Sequence, residues 1–221
     1  MAAAEAELAL LAYGDAVAGC ERCALAATRT QVVFGSGAPD ADLMFVGEAP
    51  GFHEDRQGVP FVGVAGQLLS KLLAGVGLSR DEVYIANVIK CRPPGNRDPQ
   101  PSEIEACESH LFKQIELIRP KLVATLGNFA TKLLSGKPDG ITRVHGVPQE
   151  VSLGGNRVLL FPIFHPAAAL YTPRMLEVLE ADFRRIPELL GTAGRQTAAQ
   201  APPPQAPVQA VAETATQLGL F

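Results

Sequence analysis

The chain has 221 residues, 47% of them hydrophobic, and a formal net charge of −4. That length fits one core domain with room for a tail, and the acid excess excludes a globally basic nucleic-acid binder, so any nucleic acid must be held by a local patch. No run of about 18 apolar residues is present, which excludes a membrane-spanning helix on the usual length argument.

The first residues carry acids where a signal peptide needs positive charge, so the protein is expected in the cytoplasm. Residues 5–18 place Leu8, Leu11 and Val17 among many alanines, the pattern of an amphipathic helix ending at Gly19. Cys20 and Cys23 follow at once. Residues 31–34 read as a short strand and 35–40 as a turn cluster.

Residues 43–46 (Leu, Met, Phe, Val) form an apolar run that reads as the first core strand. Gly47, Glu48, Ala49, Pro50 and Gly51 lie directly at its end. In open α/β sheets ligands bind there, beyond the carboxyl ends of the strands. Glu48, Glu54 and Asp55 are expected to bring carboxylates to that mouth, and Phe61 offers an aromatic face. Leu68, Leu69, Leu72 and Leu73 mark one face of a helix over 66–76, closed by Gly77.

Residues 83–89 are β-rich and uninterrupted, a second buried strand. A loop rich in Pro and Gly follows Cys91. Ser102 and Glu105 make a capping-box pattern for a helix running to about Ile118. Residues 122–126 read as a third strand ending at Gly127, and Asn128 opens a short helix to Leu134. Residues 141–151 are irregular or a hairpin. Residues 158–164 form a fourth strand, with His165 and Pro166 immediately after it. A last helix is expected over 175–190, bent or shortened by Pro187.

Strands alternating with helices predict an α/β fold of three layers, α/β/α, with a central four-stranded parallel sheet over residues 1–190. Residues 191–216 are Ala, Pro, Gln, Thr and Gly with almost no large apolar side chain. Such a segment cannot bury enough surface to offset its ordering entropy and reads as a disordered linker. Residues 217–221 restore apolar character at the end of the chain.

The four cysteines are Cys20, Cys23, Cys91 and Cys107, spaced C-x2-C-x67-C-x15-C. A reducing cytosol makes a disulfide framework an unsuitable reading. Four thiolates can close a tetrahedral zinc site or hold a [4Fe–4S] cluster; four unrelated buried thiols are the plain alternative. Spacing alone leaves zinc and iron–sulfur open.

Taken together, residues 47–51 and 60–63, residues 87–94, the pair Cys20 and Cys23 with Cys107, and His165-Pro166-Ala167 resemble the family 4 uracil-DNA glycosylases, the iron–sulfur type of bacteria and archaea. The resemblance covers about residues 17–190. It implies the fold of the uracil-DNA glycosylase superfamily and a [4Fe–4S] cluster on Cys20, Cys23, Cys91 and Cys107. It implies a monofunctional hydrolase that flips uracil out of DNA, cuts the N-glycosidic bond and leaves an abasic site for base excision repair.

On that resemblance, Phe61 stacks on the flipped base. Asn87 pairs with uracil O4 and N3–H through one amide. His165 donates to O2, where charge grows as the bond breaks. Glu54 matches the family position that excludes the thymine methyl. Ala49 stands where many uracil glycosylases carry a water-positioning Asp, leaving Glu48 the nearest candidate for that task. Leu170 is the expected wedge into the space left by the base. Lys90, Arg92, Arg97, Arg143 and Arg174 are candidates for contacts to phosphates.

The end of the chain resembles the short peptide by which bacterial repair and replication proteins dock on the sliding clamp. Gln217 would hydrogen bond at the rim of the clamp pocket, and Leu218, Leu220 and Phe221 would fill it. The linker spans about 28 Å root-mean-square on the estimate for flexible chains, enough to search DNA while tethered. The expected partners are uracil-containing DNA and the clamp, with the protein a monomer near the nucleoid. The competing readings are a relative that binds uracil-DNA with weak turnover or captures it covalently, for which His145 is the candidate, and a metal-bearing structural or redox protein.

Overall fold

The computed structural model describes residues 3–191. The linker and the clamp-like peptide expected over 192–221 lie outside the described residues.

The core of the fold is a set of four parallel strands, β2 (Leu43–Gly47), β3 (Tyr84–Asn87), β4 (Leu122–Leu126) and β6 (Asn156–Ile163). β2, β3 and β4 are buried at every position, as expected of parallel strands covered on both faces. Side-chain alternation splits the core into two halves. Leu43 and Phe45 of β2 face one layer with Ile85, Leu122, Ala124, Phe161 and Ile163. Met44 and Val46 face the other with Tyr84, Ala86, Val123 and Leu160.

Helices α3 (Val64–Gly75) and α7 (Pro173–Arg184) cover the first face. Their anchors are Leu69, Leu72, Leu73, Leu179 and Phe183, and the Phe183 ring stacks on Phe45 with centroids 5.7 Å apart. Each such fully buried side chain contributes about 1.5–3 kcal/mol. Helices α1 (Ala3–Ala18), α4 (Pro101–Ile118) and α5 (Asn128–Ser135) cover the second face through Leu10, Leu111, Ile115, Ala130 and Leu134. The three layers expected from the sequence are all present.

The sheet, however, has six strands and is mixed, in the order β1-β3-β2-β4-β6-β5. The central four are parallel, as expected. Two antiparallel edge strands were not: β1 (Ser36–Gly37) beside β3, and β5 (Gln149–Leu153) beside β6. β1 falls within the stretch read as a turn. Residues 31–34 form no strand, although the Val33 N–H donates to the Lys90 carbonyl at 2.8 Å. Residues 141–151, expected to be irregular or a hairpin, instead hold the short helix α6 (Ile141–Val144), and the β5–β6 hairpin begins only at Gln149.

Helix α4 begins two residues earlier than a cap at Ser102 requires. Gln100 caps it, with Pro101 in its first turn and Glu103 closing the capping box. The last helix breaks at Arg185, and a further helical turn covers 186–191, in keeping with Pro187. Among the described residues no helix is long and apolar enough to cross a membrane.

Winding reverses after β3. The chain leaves β2 toward β3 on one side, then returns to β4 on the other. The carboxyl ends of β2, β3 and β6 therefore open at the switch point where ligands bind in such sheets.

Candidate active site

A pocket of about 460 Å³ opens at those strand ends. Its wall combines Glu48, Ala49, Pro50 and Gly51 after β2, Glu54 on α2 (Phe52–Gln57), Phe61, Asn87 at the end of β3, and His165 after β6. Sequence reasoning brought all of these to one place, Pro50 and Gly51 as part of the loop at the end of the first core strand. It did not anticipate the wall contributed by Val64, Ala65, Pro93, Asn96, Arg97 and Ala167.

Asn87 forms the floor. It stands opposite Gly47 in the parallel register of β2 and β3, and is 2% exposed. Its Oδ1 is buried and meets no hydrogen-bond donor among the described residues. A buried carbonyl left unpaired costs about 1–3 kcal/mol, so this acceptor is held ready at an energetic cost. Glycine at position 47 makes the arrangement possible. A Cβ there would lie 2.4 Å from Asn87 Oδ1 and 2.7 Å from Phe61 Cζ.

Phe61 sits in a left-handed backbone conformation, φ 54°, which costs a non-glycine residue about 1–3 kcal/mol. Its surroundings hold it there. Arg80 donates to the Pro60 carbonyl at 2.7 Å and to the Phe61 carbonyl at 3.0 Å. Glu54 Oε1 accepts from the Val62 and Gly63 N–H groups at 3.0 and 2.9 Å. A Cβ on Gly66 would fall 1.8 Å from the Phe61 oxygen, so α3 presses its backbone directly on this turn. Sequence reasoning missed Arg80, because no motif marks a side chain that works through backbone carbonyls.

The His165 ring stacks at 5.5 Å from Phe61, tilted by 28°. Its Nδ1 accepts from the Ala167 N–H at 3.1 Å. That bond fixes the tautomer: the proton sits on Nε2, which is thereby the donor. Burial lowers the His165 pKa to about 4, with the Glu54 carboxylate pulling the other way. The ring is neutral at physiological pH and still carries a donor. Glu48 moves in the opposite direction. Burial, and then the charge of Asp98, raise its pKa to about 7, the range suited to a general base.

Asp55 is not at the mouth. It is buried, and accepts from the Thr30 N–H and hydroxyl at 2.9 and 2.6 Å, tying residue 30 to α2. Lys90 is equally unsuited to phosphate. It is 1% exposed and points inward, donating to the Asn87 carbonyl at 2.8 Å and to Gln114 Oε1 at 2.5 Å. Arg97 is bound by both oxygens of Glu103 at 2.6 and 2.9 Å, and Arg143 pairs with Asp139 at 3.3 Å. Leu170 is half-buried in the turn after His165, whereas Tyr171 beside it is 92% exposed. His145 is absent from the pocket wall. Its Nδ1 lies 3.3 Å from Asp182 Oδ2, and its ring packs on Phe164 at 4.5 Å.

The four cysteines come together away from the pocket. Cys20, Cys23, Cys91 and Cys107, distant in sequence, line one small hollow with Arg29, Lys90 and His110. All four are free thiols. Polar groups already face them: Arg29 donates toward Cys91 Sγ at 3.6 Å and the Lys90 N–H toward Cys107 Sγ at 3.3 Å, while His110 Nε2 lies 3.4 Å from Cys20 Sγ. Burial holds the Cys91 thiol up at about 11. Among the described residues no group of three or more His, Cys, Asp or Glu is arranged to hold a single metal ion.

Comparison with known proteins agrees with this geometry. Residues 34–187 match the model of the uracil DNA glycosylase superfamily. The chain is 46% identical over 188 residues to a type-4 uracil-DNA glycosylase of Sulfurisphaera tokodaii, covering 83% of this chain and 86% of that protein. It is 48% identical over 179 residues to the type-4 enzyme of Archaeoglobus fulgidus, covering 79% and 90%. A type-4 enzyme of Thermotoga maritima is 47% identical over 157 residues, covering 71% and 80%. With a pocket of this composition and relatives at this identity along most of its length, the chain belongs to the uracil-DNA glycosylase superfamily and, within it, to the type-4 family.

Proposed function

We infer that this protein removes uracil from DNA by hydrolysing its N-glycosidic bond, as a step of DNA repair. The observation that carries this reading is the unpaired Asn87 Oδ1 on the floor of the pocket. Uracil N3–H is the donor it lacks, and the same amide offers its N–H to O4. Cytosine presents the reverse pattern at those two atoms. A bidentate contact of this type discriminates by about 1–3 kcal/mol, and the unpaired groups that a wrong base leaves add to that.

The flipped base stacks on Phe61. The His165 ring is too near that face, at 5.5 Å, to sandwich a base, so the imidazole meets the base at its edge. There Nε2–H donates to O2 as the C1′–N1 bond breaks and its electron pair moves into the uracil ring. A neutral donor suits this role, since it stabilises growing negative charge without first having to gain a proton. Water attacks C1′, and ionised Glu48 orients it and takes its proton. Among the described residues no lysine lines the pocket, consistent with water as the nucleophile and a monofunctional reaction. Glu54, fixed by two backbone N–H groups, cannot swing aside for a thymine methyl, and Ala49 closes the wall beside the water.

The thiol hollow suits a [4Fe–4S] cluster held by Cys20, Cys23, Cys91 and Cys107. Four converging thiols are the donor set that a cluster of this kind takes. Arg29 and the Lys90 N–H are donors of the type that stabilises thiolates. Such a cluster, held by these four cysteines, would supply iron–thiolate bonds tying the loop after α1 to α4 and to the chain following Asn87. The residues 217–221 are proposed to dock on the sliding clamp, with the enzyme acting as a cytoplasmic monomer near DNA. Deleting them should leave excision on short duplexes intact and abolish clamp binding; clamp binding that survives would refute the docking role.

The deciding experiment is single-turnover cleavage of a labelled duplex with one U·G pair, followed by alkali, with a T·G duplex alongside. Strand breaks at uracil alone are expected. No breaks, from protein with a full cluster, would overturn the reading, and a DNA adduct on a denaturing gel would then favour covalent capture.

A further inference from the structure

An acidic protein that binds DNA must gather positive charge locally, and many of its cations are already committed to acids. Arg97, Arg143, Arg157 and Arg184 pair with carboxylates, as do Lys113 and Lys121. Among the arginines outside these pairs, two share one exposed aromatic ring. Arg56 on α2 and Arg92 after β3 both lie over the ring of Phe52, at 5.6 and 5.2 Å from its centroid. Neither pairs with an acid among the described residues. Phe52 itself is 46% exposed, high for a residue type that is usually buried.

The position of this group is as informative as its composition. Phe52 directly follows Gly51, and Arg92 directly precedes Pro93; Gly51 and Pro93 both line the pocket. Arg92 Nε donates to Asn96 Oδ1 at 2.6 Å, and Asn96 is also part of the pocket wall. The His53 ring abuts Phe52 edge-on at 5.4 Å. Stacking on an aromatic ring restrains a guanidinium plane while leaving N–H groups at its edge, the geometry that suits a phosphate. Two like charges gathered on one ring repel each other until an anion lies between or beside them.

We propose that Arg56 and Arg92, held on the Phe52 ring, bind backbone phosphates of the DNA strand flanking the extruded nucleotide. This rests on the uracil-excision reading, because only a base drawn into the pocket sets the adjacent backbone against this rim. Phe52 is the platform and the two arginines bind the phosphates.

The test is the salt dependence of binding to a duplex carrying a tetrahydrofuran abasic analogue, which requires no catalysis. Removing one arginine–phosphate pair should reduce the steepness of log K against log salt by about 0.9. Arg56→Gln and Arg92→Gln should each weaken binding about fivefold at about 0.15 M salt, taking equal affinity at about 1 M, and the double variant should reduce the slope by about 1.8. Arg56→Lys with Arg92→Lys should keep the slope, since charge is retained. An unchanged slope in the double Gln variant, with excision by the parent intact, overturns the proposal. A parent that binds with a patch-dependent slope but releases no uracil would instead overturn the excision reading and leave this surface standing as a DNA-binding rim.

Discussion

Replacing Asn87 by alanine should separate stability from function in opposite directions. The side chain is buried, yet its Oδ1 has no donor among the described residues, so the folded protein carries a desolvation cost of about 1–3 kcal/mol at this atom. Truncation removes that cost. It opens no closed cavity, because the space released joins the existing pocket. The backbone bonds of the strand end, the Val88 N–H to the Gly47 carbonyl and Lys90 Nζ to the Asn87 carbonyl, do not depend on the side chain. Against the gain stand a modest drop in strand preference, under about 1 kcal/mol, and a small reduction in dispersion attraction. The expected net change runs from zero to about 2 kcal/mol of added stability. Excision should fall by the value of the bidentate pairing, about 1–3 kcal/mol, which is roughly 5- to 150-fold in kcat/KM. Urea midpoints at constant m-value, on samples matched for absorbance near 400 nm, read the first quantity. Single-turnover rates read the second. Destabilisation by more than about 1 kcal/mol would refute the reasoning, since it would mean the amide is satisfied inside the folded protein and is not held for a ligand.

Three further changes probe the rest of the site. With Glu48 at about 7 and needed as the anion, excision should rise with pH through about 7 and level off; Glu48→Gln should flatten that limb and lower the plateau. The stability sign is opposite: Glu48 stays protonated in the fold while the unfolded chain ionises from about 4.5, so stability falls as pH rises between those values, and Glu48→Gln should remove that slope in pH-dependent denaturation. Arg80→Met strips two carbonyls of a charged donor and should cost about 1–3 kcal/mol, with kcat/KM reduced through a displaced Phe61 and partly restored by Arg80→Lys. Cys91→Ser should lower absorbance near 400 nm and the melting temperature together, and a variant retaining full absorbance would remove Cys91 from the ligand set.

The sequence made the site legible where function falls at the ends of apolar runs. Gly47 and His165 each close a strand that hydrophobicity alone identifies, and parallel pairing forces those ends to one edge of the sheet; Asn87 joins them because the apolar run read as 83–89 leaves the sheet after Asn87. The edge strands were less legible for definite reasons. Ser36–Gly37 is only two residues long, and the sequence of β5 mixes Gln, Glu and Ser with one side of partial burial. Lys90 was misread because a lysine in a breaker-rich loop resembles a surface cation. Its stem instead runs into the core to reach Gln114, a partner 24 positions away that no local pattern reveals. Arg80 and the Phe52 platform share this property: their meaning lies in interactions across loops.

Two costs in the fold point to the same design. Phe61 is held in a left-handed backbone conformation, and Asn87 is held with an unpaired oxygen. Neither would persist in isolation. Phe61 is kept in place by Arg80 on its carbonyl side and Glu54 on the following N–H groups, opposite charges gripping opposite ends of one turn. Asn87 is kept in place by the strand register and by Lys90 on its own carbonyl. The absence of a side chain at Gly47 then brings the ring and the amide together at one small space. Because these groups are set during folding, they need not reorganise when the base arrives. On the proposed reading, uracil meets the orphaned acceptor and loses little in ordering the site, whereas a base without a donor at that position leaves the cost in place. Selectivity would then arise from a deficit built into the fold that the correct base relieves.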